Sequence, residues 1–450
     1  MKHDRTELLL YEPNMYKAFM ILALPVMASN LLKSVHDLVD SYFIGQMENS
    51  VSAQAGISVS WPLIEIFVSL STGLAVAGVA VISQHLGARR KEDAKRYATL
   101  LMVLSIGLGL LINLFLYLAA GPVLRLMGAE GGVYDAAATY VRVRAFEMPF
   151  LFIFTAFQAI RQAKGDTVTP VILSVTSIVI NIVLTGIFVR ILNLGVFGAA
   201  FATMIGQAAI APFCLIVLGR KLEELRIERN YLRIDIQDMR SLIRVAIPSA
   251  SSQALSSLGF LVLQATILSY GEVVAAAFSI GNKVSNLLLI PVMALGSVLA
   301  AYIGQNIGAR NKERARASYK VSRNITLMLM IAGAALMFPI RQYILRLLTN
   351  NADTLAVAVE YTVWVLLAQP LMGLFQNYMG AFNGSGHTGY SFRIATVRLW
   401  IIRLPLILLF KNFTNMGRSG IWYSMVLSNI LILIYAHHLF RKIDFEPVEK

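Results

Sequence analysis

Residues 82–95 read Ile-Ser-Gln-His-Leu-Gly-Ala-Arg-Arg-Lys-Glu-Asp-Ala-Lys, and residues 303–316 repeat this motif as Ile-Gly-Gln-Asn-Ile-Gly-Ala-Arg-Asn-Lys-Glu-Arg-Ala-Arg. Eight of the fourteen positions are identical, whereas average composition would give about one. The separation is 221 residues, and at the same separation Pro149 matches Pro370. The sequence therefore predicts two copies of one structural unit.

The composition places this repeat in a membrane protein. The chain has 450 residues, of which 57% are hydrophobic and only 14% charged, and its mean hydropathy is +0.66. A soluble domain carries about 25% charged residues, so a water-soluble protein is excluded. The apolar runs are far longer than the about 9–11 residues of a spanning strand, which excludes a β-barrel. We expect an all-α polytopic membrane protein.

Breaks at Gly, Pro and charge clusters divide the apolar sequence into twelve predicted transmembrane spans. The spans, numbered in chain order, cover residues 16–44, 52–85, 92–119, 135–161, 167–190, 193–219, 241–269, 273–304, 313–340, 353–381, 388–410 and 418–441. Six spans separate equivalent positions of the repeat, so both copies have the same orientation, as in the parallel repeats of alternating-access carriers. We expect two pseudo-symmetric six-helix bundles around a central cleft: residues 1–219 and 241–450, joined by a charged linker at 220–240.

The charge distribution predicts the orientation. The formal net charge is +14, but the basic residues occupy short loops, which favours a topology signal over nucleic-acid binding. Eighteen Lys and Arg lie in three loops that follow spans 2, 6 and 8, whereas the loops of the opposite face supply six. The positive-inside rule then places both termini in the cytoplasm. The lone Cys214 allows no internal disulfide, and we expect no metal site.

Each Gly-Ala-Arg motif lies where a long apolar run ends. Because Gly tolerates a left-handed backbone, we expect Gly87 and Gly308 to cap their helices, with the basic residues holding the turn at the lipid–water boundary. A structural turn is the favoured interpretation, and a gating role is the alternative.

Ionisable residues in a bilayer are costly, and span 1 contains the densest set: Lys33, His36, Asp37 and Asp40. Lys33, Asp37 and Asp40 share one helix face. If Lys33 pairs with Asp37, Asp40 keeps only His36, four residues before it. Since burial disfavours its charged form, Asp40 can then gain and lose a proton near neutral pH. The alternative is a neutralising ion pair that only fixes helix packing, and it is favoured for Asp37.

The second half carries no matching acidic group: when Pro25 is aligned with Pro248, a separation of 223 residues, Phe260 and Leu263 stand at the positions of Asp37 and Asp40. Other charged residues within the spans are of several kinds. We predict an intrahelical pair between Arg144 and Glu147, three residues apart. Among the basic residues of the later spans, Lys283 is predicted either to line the cavity or to reach outward. Of the arginines along span 11, only Arg403 is expected to lie deep.

Three motifs together resemble the MATE family (multidrug and toxic compound extrusion), and in particular its bacterial DinF-like branch. They are Asp40-Ser-Tyr-Phe-Ile-Gly45 at the end of span 1, the repeated Gln-x-x-Gly-Ala-Arg, and Gly195-Val-Phe-Gly-Ala-Ala-Phe-Ala-Thr203 at the start of span 6. The resemblance extends over essentially the whole chain. It implies export of organic cations in exchange for H⁺ or Na⁺ by a multi-pass protein of the bacterial inner (plasma) membrane.

The resemblance also implies a coupling site. Its protonatable residue matches Asp40, and the polar groups around it match Tyr140, Asn181 and Thr203. These groups can hydrogen-bond either protonation state of a carboxyl group. Many relatives read Asn-x-x-x-Asp where this chain has Asn181-Ile-Val-Leu-Thr185, so a second carboxylate is missing. The NorM-like branch uses acidic residues in spans 7 and 10, which are absent here, and this favours H⁺ over Na⁺.

The expected function is therefore secondary active efflux of lipophilic cationic small molecules by a proton-coupled, monomeric transporter that needs no cofactor. Pro25 removes a backbone hydrogen bond from span 1 and is the predicted hinge. The sequence leaves open whether H⁺ and drug compete for Asp40 or protonation bends the helix. The alternatives are a Na⁺-coupled antiporter and a flippase for lipid-linked oligosaccharides, for which Lys33, Lys283 and Arg403 would bind a pyrophosphate. No convergent catalytic set or ring of equivalent charges supports an enzyme or a channel.

Overall fold

The computed structural model describes residues 5–45, 50–220, 223–231, 235–349 and 351–447, and their regular structure is helical. The α-helices are α1 (Arg5–Leu10), α2 (Met15–Gly45), α3 (Ser50–Gly87), α4 (Lys91–Leu126), α5 (Gly131–Ala163), α6 (Val168–Thr185), α7 (Gly195–Gly219), α8 (Ile236–Leu268), α9 (Glu272–Gly308), α10 (Lys312–Leu348), α11 (Ala352–Gly384), α12 (Thr388–Thr396), α13 (Leu404–Phe413) and α14 (Ser419–Phe440). A π-helical segment, Gly186–Ile191, continues α6, and another, Val397–Arg403, joins α12 to α13.

The twelve predicted spans are confirmed. Eleven helices in the described ranges are long and apolar enough to cross a bilayer, and α12, its π segment and α13 together form the remaining span, at residues 388–413. The largest boundary differences are at α4 and α10, which run on to Leu126 and Leu348. There Arg125, Arg341 and Arg346 interrupt the apolar run without ending the helix. A proline inside each helix does not end it either.

The two copies of the repeat meet at one end of the bundle, which we call the motif end. Gly87 is the last residue of α3 and Gly308 the last of α9. A Cβ atom on Gly87 would overlap the carbonyl oxygen of Gln305, and one on Gly308 would overlap that of Gln84. The backbones of α3 and α9 therefore cross in direct contact, related by the repeat, and only glycine allows the approach.

The prediction that these glycines supply the left-handed caps is wrong. The left-handed residues are Arg89 and Arg310, with φ angles of 60° and 57°, two positions further along each motif. Gly87 and Gly308 stay helical. Their lack of a side chain allows α3 and α9 to approach each other closely. The motif is thus a contact between the halves as well as a turn.

Hydrogen bonds between the halves accompany this crossing. The Gln305 side-chain amide donates to the carbonyl of Ala163 at 2.6 Å, and the Arg96 guanidinium lies 2.8 Å from the Asp238 carboxylate. Both contacts join the first six spans to the last six. They lie at the motif end, where α5 ends and α8 begins.

The linker between the halves is fastened to the same end. Glu224 forms an ion pair with Lys91 at 2.7 Å and another with Lys164 at 3.3 Å. Burial alone would raise the pKa of Glu224, but the hydrogen bonds and positive charges of these two lysines bring it below its ordinary value. The linker is therefore held on the first half, at the motif end.

The N-terminal segment packs on the second half although it belongs to the first repeat. The ring of Phe19 stacks on Tyr302 of α9 at 4.9 Å between centroids. The Asn306 side-chain amide donates to the carbonyl of Leu9 at 3.1 Å, and Arg314 donates to that of Glu12 at 2.7 Å. Pro25 lies inside α2, beyond this anchored part.

We predict that Gly87→Ala and Gly308→Ala each lower the free energy of unfolding by about 1–3 kcal/mol, because the added methyl group overpacks the crossing of α3 and α9. The measurement is unfolding of the purified protein in detergent. Gly107→Ala is the matched control, since a Cβ atom there meets nothing within 4 Å and Ala favours the helix. Equal stability of all three variants would contradict a tight crossing.

Candidate functional site

A polar chain connects three helices inside the first half. The Nε2 atom of His36, on α2, lies 2.6 Å from the side-chain oxygen of Asn181, on α6. The Asn181 amide donates to the Thr203 hydroxyl on α7 at 3.0 Å, and that hydroxyl donates to the carbonyl of Ala199 at 3.1 Å. With Nε2 protonated, the hydrogen bonds run in one direction, from the imidazole through the Asn181 amide and the Thr203 hydroxyl to the carbonyl of Ala199.

Asn181 is the centre of this chain and is only 3% exposed. The Thr185 hydroxyl approaches its side-chain oxygen at 3.4 Å, which fixes the amide from one turn below. The structure thus brings together three of the predicted site residues, namely His36, Asn181 and Thr203. They lie close in space although 145 residues separate the first two.

An ion pair lies next to this chain on α5. Arg144 and Glu147 form the predicted pair, and both are buried. The Arg144 guanidinium also lies 5.9 Å from the ring centroid of Tyr140. Tyr140, another of the predicted site residues, therefore adjoins this ion pair. Glu147 interacts electrostatically with His36 as well as with Arg144. The ion pair therefore belongs to the polar site.

Glu65 on α3 adds a second carboxylate near Arg144. The proximity of Glu147 to His36 and of Glu65 to Arg144 is a long-range property of the fold, which no local sequence pattern reveals. The only local signal was that both are acidic residues inside apolar runs, where charge is costly. Two carboxylates beside one guanidinium leave this interior with an excess of acidic groups.

The helix backbone of α2 is described through Asp37 and Asp40, but their side chains lie outside the described residues. Asp40 stands four residues after His36 and so occupies the same face of α2, one turn further along. Lys33 is exposed and borders a small cavity together with Ser29 and Gln158. The pairing of Lys33 with Asp37, the protonation of Asp40 and the hinge at Pro25 stay predictions.

The second half contains buried cations instead. Arg398 is 5% exposed and Arg403 2% exposed, so the expectation that only Arg403 lies deep is wrong. Arg403 donates to the Ser428 hydroxyl at 3.0 Å and to the side-chain oxygen of Asn429 at 2.8 Å. Both acceptors lie on α14 and could not be assigned from sequence because they are far along the chain.

Arg398 contacts an aromatic ring and a sulfur atom instead of oxygen acceptors. Its guanidinium lies 4.3 Å from the ring centroid of Phe375 and donates to the sulfur of Met372 at 3.0 Å. Among the described residues, neither buried arginine makes an ion pair with a carboxylate. Both belong to the π-helical segment Val397–Arg403, a geometry frequent at functional sites. The two halves thus share a fold but carry opposite charge in their interiors.

No group of three His, Cys, Asp or Glu side chains within the described ranges is arranged to hold a metal ion. The site therefore offers hydrogen-bonding groups, carboxylates and one imidazole. Such groups can bind and release protons and can neutralise a cation.

Known proteins resemble the whole chain. A probable multidrug resistance protein of Bacillus subtilis, YoeA, is 26% identical over 440 residues, which cover 95% of this chain and 94% of that protein. The multidrug export protein MepA of Staphylococcus aureus is 24% identical over 422 residues, covering 94% of this chain and 92% of its own.

Solved structures have the same fold. An outward-facing multidrug resistance transporter of the MATE family superposes with a TM-score of 0.92 at 23% identity, and the match covers 98% of both chains. A MOP superfamily transporter from Pyrococcus furiosus superposes with a TM-score of 0.91 at 23% identity over all of both chains.

The MatE family model matches twice, at residues 25–187 and 248–409. The two matches fall in the two halves that the repeat predicts. With twelve spans, an internal repeat and relatives that are transporters, the chain is no enzyme, and it belongs to the MatE family of membrane transporters.

Proposed function

We propose that this transporter exports lipophilic organic cations in exchange for protons, with Asp40 as the coupling carboxyl group and the motif end in the cytoplasm. The observation that carries the proposal is the polar chain from His36 through Asn181 to Thr203, one helical turn from Asp40. An amide and a hydroxyl at this place can accept from a protonated carboxyl group or donate to an ionised one.

The charge balance of the first half supports a cationic cargo. Glu147 forms an ion pair with Arg144, and Glu65, Asp37 and Asp40 are further acidic residues inside the spans of the same half. Burying excess negative charge is costly unless protons or a cation compensate for it. A site that is neutralised by either ligand in turn binds only one of them, and that exclusion couples export to proton entry.

The attachment of α2 supports a bend at Pro25. Below the proline, α2 packs on the second half through Phe19. Above it, His36 is bonded to Asn181 in the first half. Since proline removes one backbone hydrogen bond, the joint between the two anchored parts is the weakest point of the helix. Protonation at Asp40 acts on the upper part and bends it relative to the lower.

The relatives support the direction and breadth of transport. YoeA of Bacillus subtilis bears the name of a probable multidrug resistance protein, and MepA of Staphylococcus aureus bears that of a multidrug export protein. Both align with the chain over more than nine-tenths of its length. The surplus of basic loops at the motif end favours its cytoplasmic location.

We predict that Asp40→Asn abolishes proton-driven efflux, because an amide neither binds nor releases the coupling proton. The measurement is efflux of a fluorescent cation, such as ethidium, from proteoliposomes under an imposed pH gradient. We expect a rate at least about a hundredfold lower, by analogy with the loss of a positioned proton-transfer group. Asp353→Asn, at an exposed position in the first turn of α11, is the matched control.

The same vesicles test the coupling ion with a Na⁺ gradient at equal pH. Undiminished pH-driven exchange by the Asp40 variant would show that another group carries the proton. Efflux driven by Na⁺ alone would contradict proton coupling in the wild type.

A second candidate is a flippase for a lipid-linked oligosaccharide, favoured by the buried Arg398 and Arg403. Guanidinium groups bind phosphate oxygens with matching geometry. The Pyrococcus furiosus transporter is described as having a binding pocket of reversed polarity that suggests a different function. Lys283 is exposed and Lys33 borders the cavity near Gln158, so both side chains are accessible to such a cargo.

The two candidates predict opposite substrate charge. We expect the proteoliposomes to move the cationic dye and to leave a fluorescent lipid with a pyrophosphate headgroup in its original leaflet. Arg403→Gln should then leave dye efflux within about threefold of wild type, allowing for altered packing against Ser428. Translocation of the pyrophosphate lipid that Arg403→Gln removes would favour the flippase instead.

A further inference from the structure

A cavity of about 460 Å³ lies at the motif end, between the two copies of the repeat. One wall comes from the first Gly-Ala-Arg motif and another from the second. The C-terminal segment, at residues 445–447, forms a third. A volume of this size is typical of a small-molecule site. The residues that line the cavity differ from those of the polar site near Asn181, so the two are distinct places in the fold.

The charges around the cavity are mostly positive. Arg90, Arg310 and Lys312 line it together with His85, and Glu446 is the one carboxylate among the described lining residues. Glu446 pairs with Lys312 at 3.1 Å. Within the described residues, no carboxylate pairs with Arg90 or Arg310. Like charges that a fold brings together repel one another unless an anion lies between them.

The chain builds this arrangement through backbone geometry as well as charge. Arg310 has a left-handed backbone with φ of 57°, a conformation that is costly for a residue with a side chain. Phe445 also has positive φ, 54°, and is buried at 2% exposure. The Arg316 guanidinium lies 5.5 Å from its ring centroid, which fastens the C-terminal wall to α10.

The cavity exists only while the two halves touch. Its lining includes Gln84 and Gly308, the same residues whose backbones meet where α3 and α9 cross. Separation of the halves at the motif end would divide Arg90 from Arg310 and open the cavity. A ligand that bridges the two cations therefore binds only the closed arrangement and stabilises it by mass action.

We propose that this cavity is a binding site for a phosphate-bearing anion, and that its occupancy holds the motif end closed. Arg90 and Arg310 would each donate to phosphate oxygens from opposite halves, and Lys312 would contribute a third charge. Two chemical sources supply such a group, a soluble phosphate compound and the headgroup of an anionic phospholipid. The cytoplasmic location rests on the proposed orientation, whereas binding itself does not.

The test uses pyrophosphate as probe and the full-length purified protein in a neutral detergent. Isothermal titration should show saturable binding, and the midpoint of thermal unfolding should rise with pyrophosphate concentration. The double variant Arg90→Gln/Arg310→Gln should weaken binding by at least about tenfold, because charge-assisted hydrogen bonds to the anion are lost. Arg240→Gln/Arg244→Gln removes two exposed arginines of α8 that do not line the cavity and should leave binding unchanged.

A variant with the opposite expected effect excludes loss of the fold as the cause of weaker binding. Glu446→Gln removes the carboxylate that competes for Lys312, so it should tighten pyrophosphate binding by several fold. Equal affinity for the wild type and both arginine double variants would overturn the proposal, as would weaker binding in Glu446→Gln.

The second arm distinguishes the two sources and is run without added phosphate compounds. Protein in nanodiscs of phosphatidylcholine is compared with protein in nanodiscs that contain 30 mol% phosphatidylglycerol, using the unfolding midpoint. A rise with phosphatidylglycerol that disappears in Arg90→Gln/Arg310→Gln identifies the lipid headgroup as the ligand. A response to pyrophosphate alone identifies a soluble anion, and a response to neither refutes the site. Loss of cation efflux in Asp40→Asn would not alter any of these results, so the two proposals fail separately.

Discussion

The crossing of α3 and α9 is the constraint on which the rest of this structure depends. The two copies of the fourteen-residue motif meet there because Gly87 and Gly308 carry no Cβ atoms, and each glycine packs against the backbone of a glutamine in the other copy. Backbones packed this closely cannot shift by small amounts, since protein interiors rearrange between discrete states rather than deform continuously. The structure shows the halves joined at the motif end, and so tight a crossing favours discrete separation over gradual deformation. A two-state contact of this kind is what alternating access requires.

The repeat imposes one backbone on both halves, yet their interiors differ in charge. The first half gathers Glu65, Glu147 and the chain through Asn181, and the second buries Arg398 and Arg403. Because an isolated charge in a bilayer is costly, neither set is a neutral by-product of packing. In the proposed mechanism, the shared backbone supplies the movement, whereas the difference in buried charge confines proton coupling to the first half. In a strictly symmetric protein both halves would bind the proton, and a single coupling site would not be defined.

The sequence was sufficient for the spans, the repeat and the family, because long apolar runs and the fourteen-residue motif are local signals. Resemblance also identified Asn181 and Thr203, which the structure joins to His36. The sequence failed where the answer depends on distant contacts. A glycine near a helix end has the same local pattern whether it caps the helix or admits a neighbouring backbone, so Gly87 was misassigned. The depth of Arg398 depends on Phe375 and Met372, which no local period reveals.

The N-terminal segment links the two events that transport must coordinate. Its lower part is fixed to the second half through Leu9 and Phe19, and its upper part reaches the polar site of the first half through His36. Any separation of the halves at the motif end must therefore either break the lower anchors or change the angle of α2. Proline already lacks one backbone hydrogen bond, so a bend at Pro25 does not have to break it. Bending is therefore the less costly change. In the proposed mechanism, a change in protonation at Asp40 and an opening near Gly87 are therefore coupled through the movement of one helix.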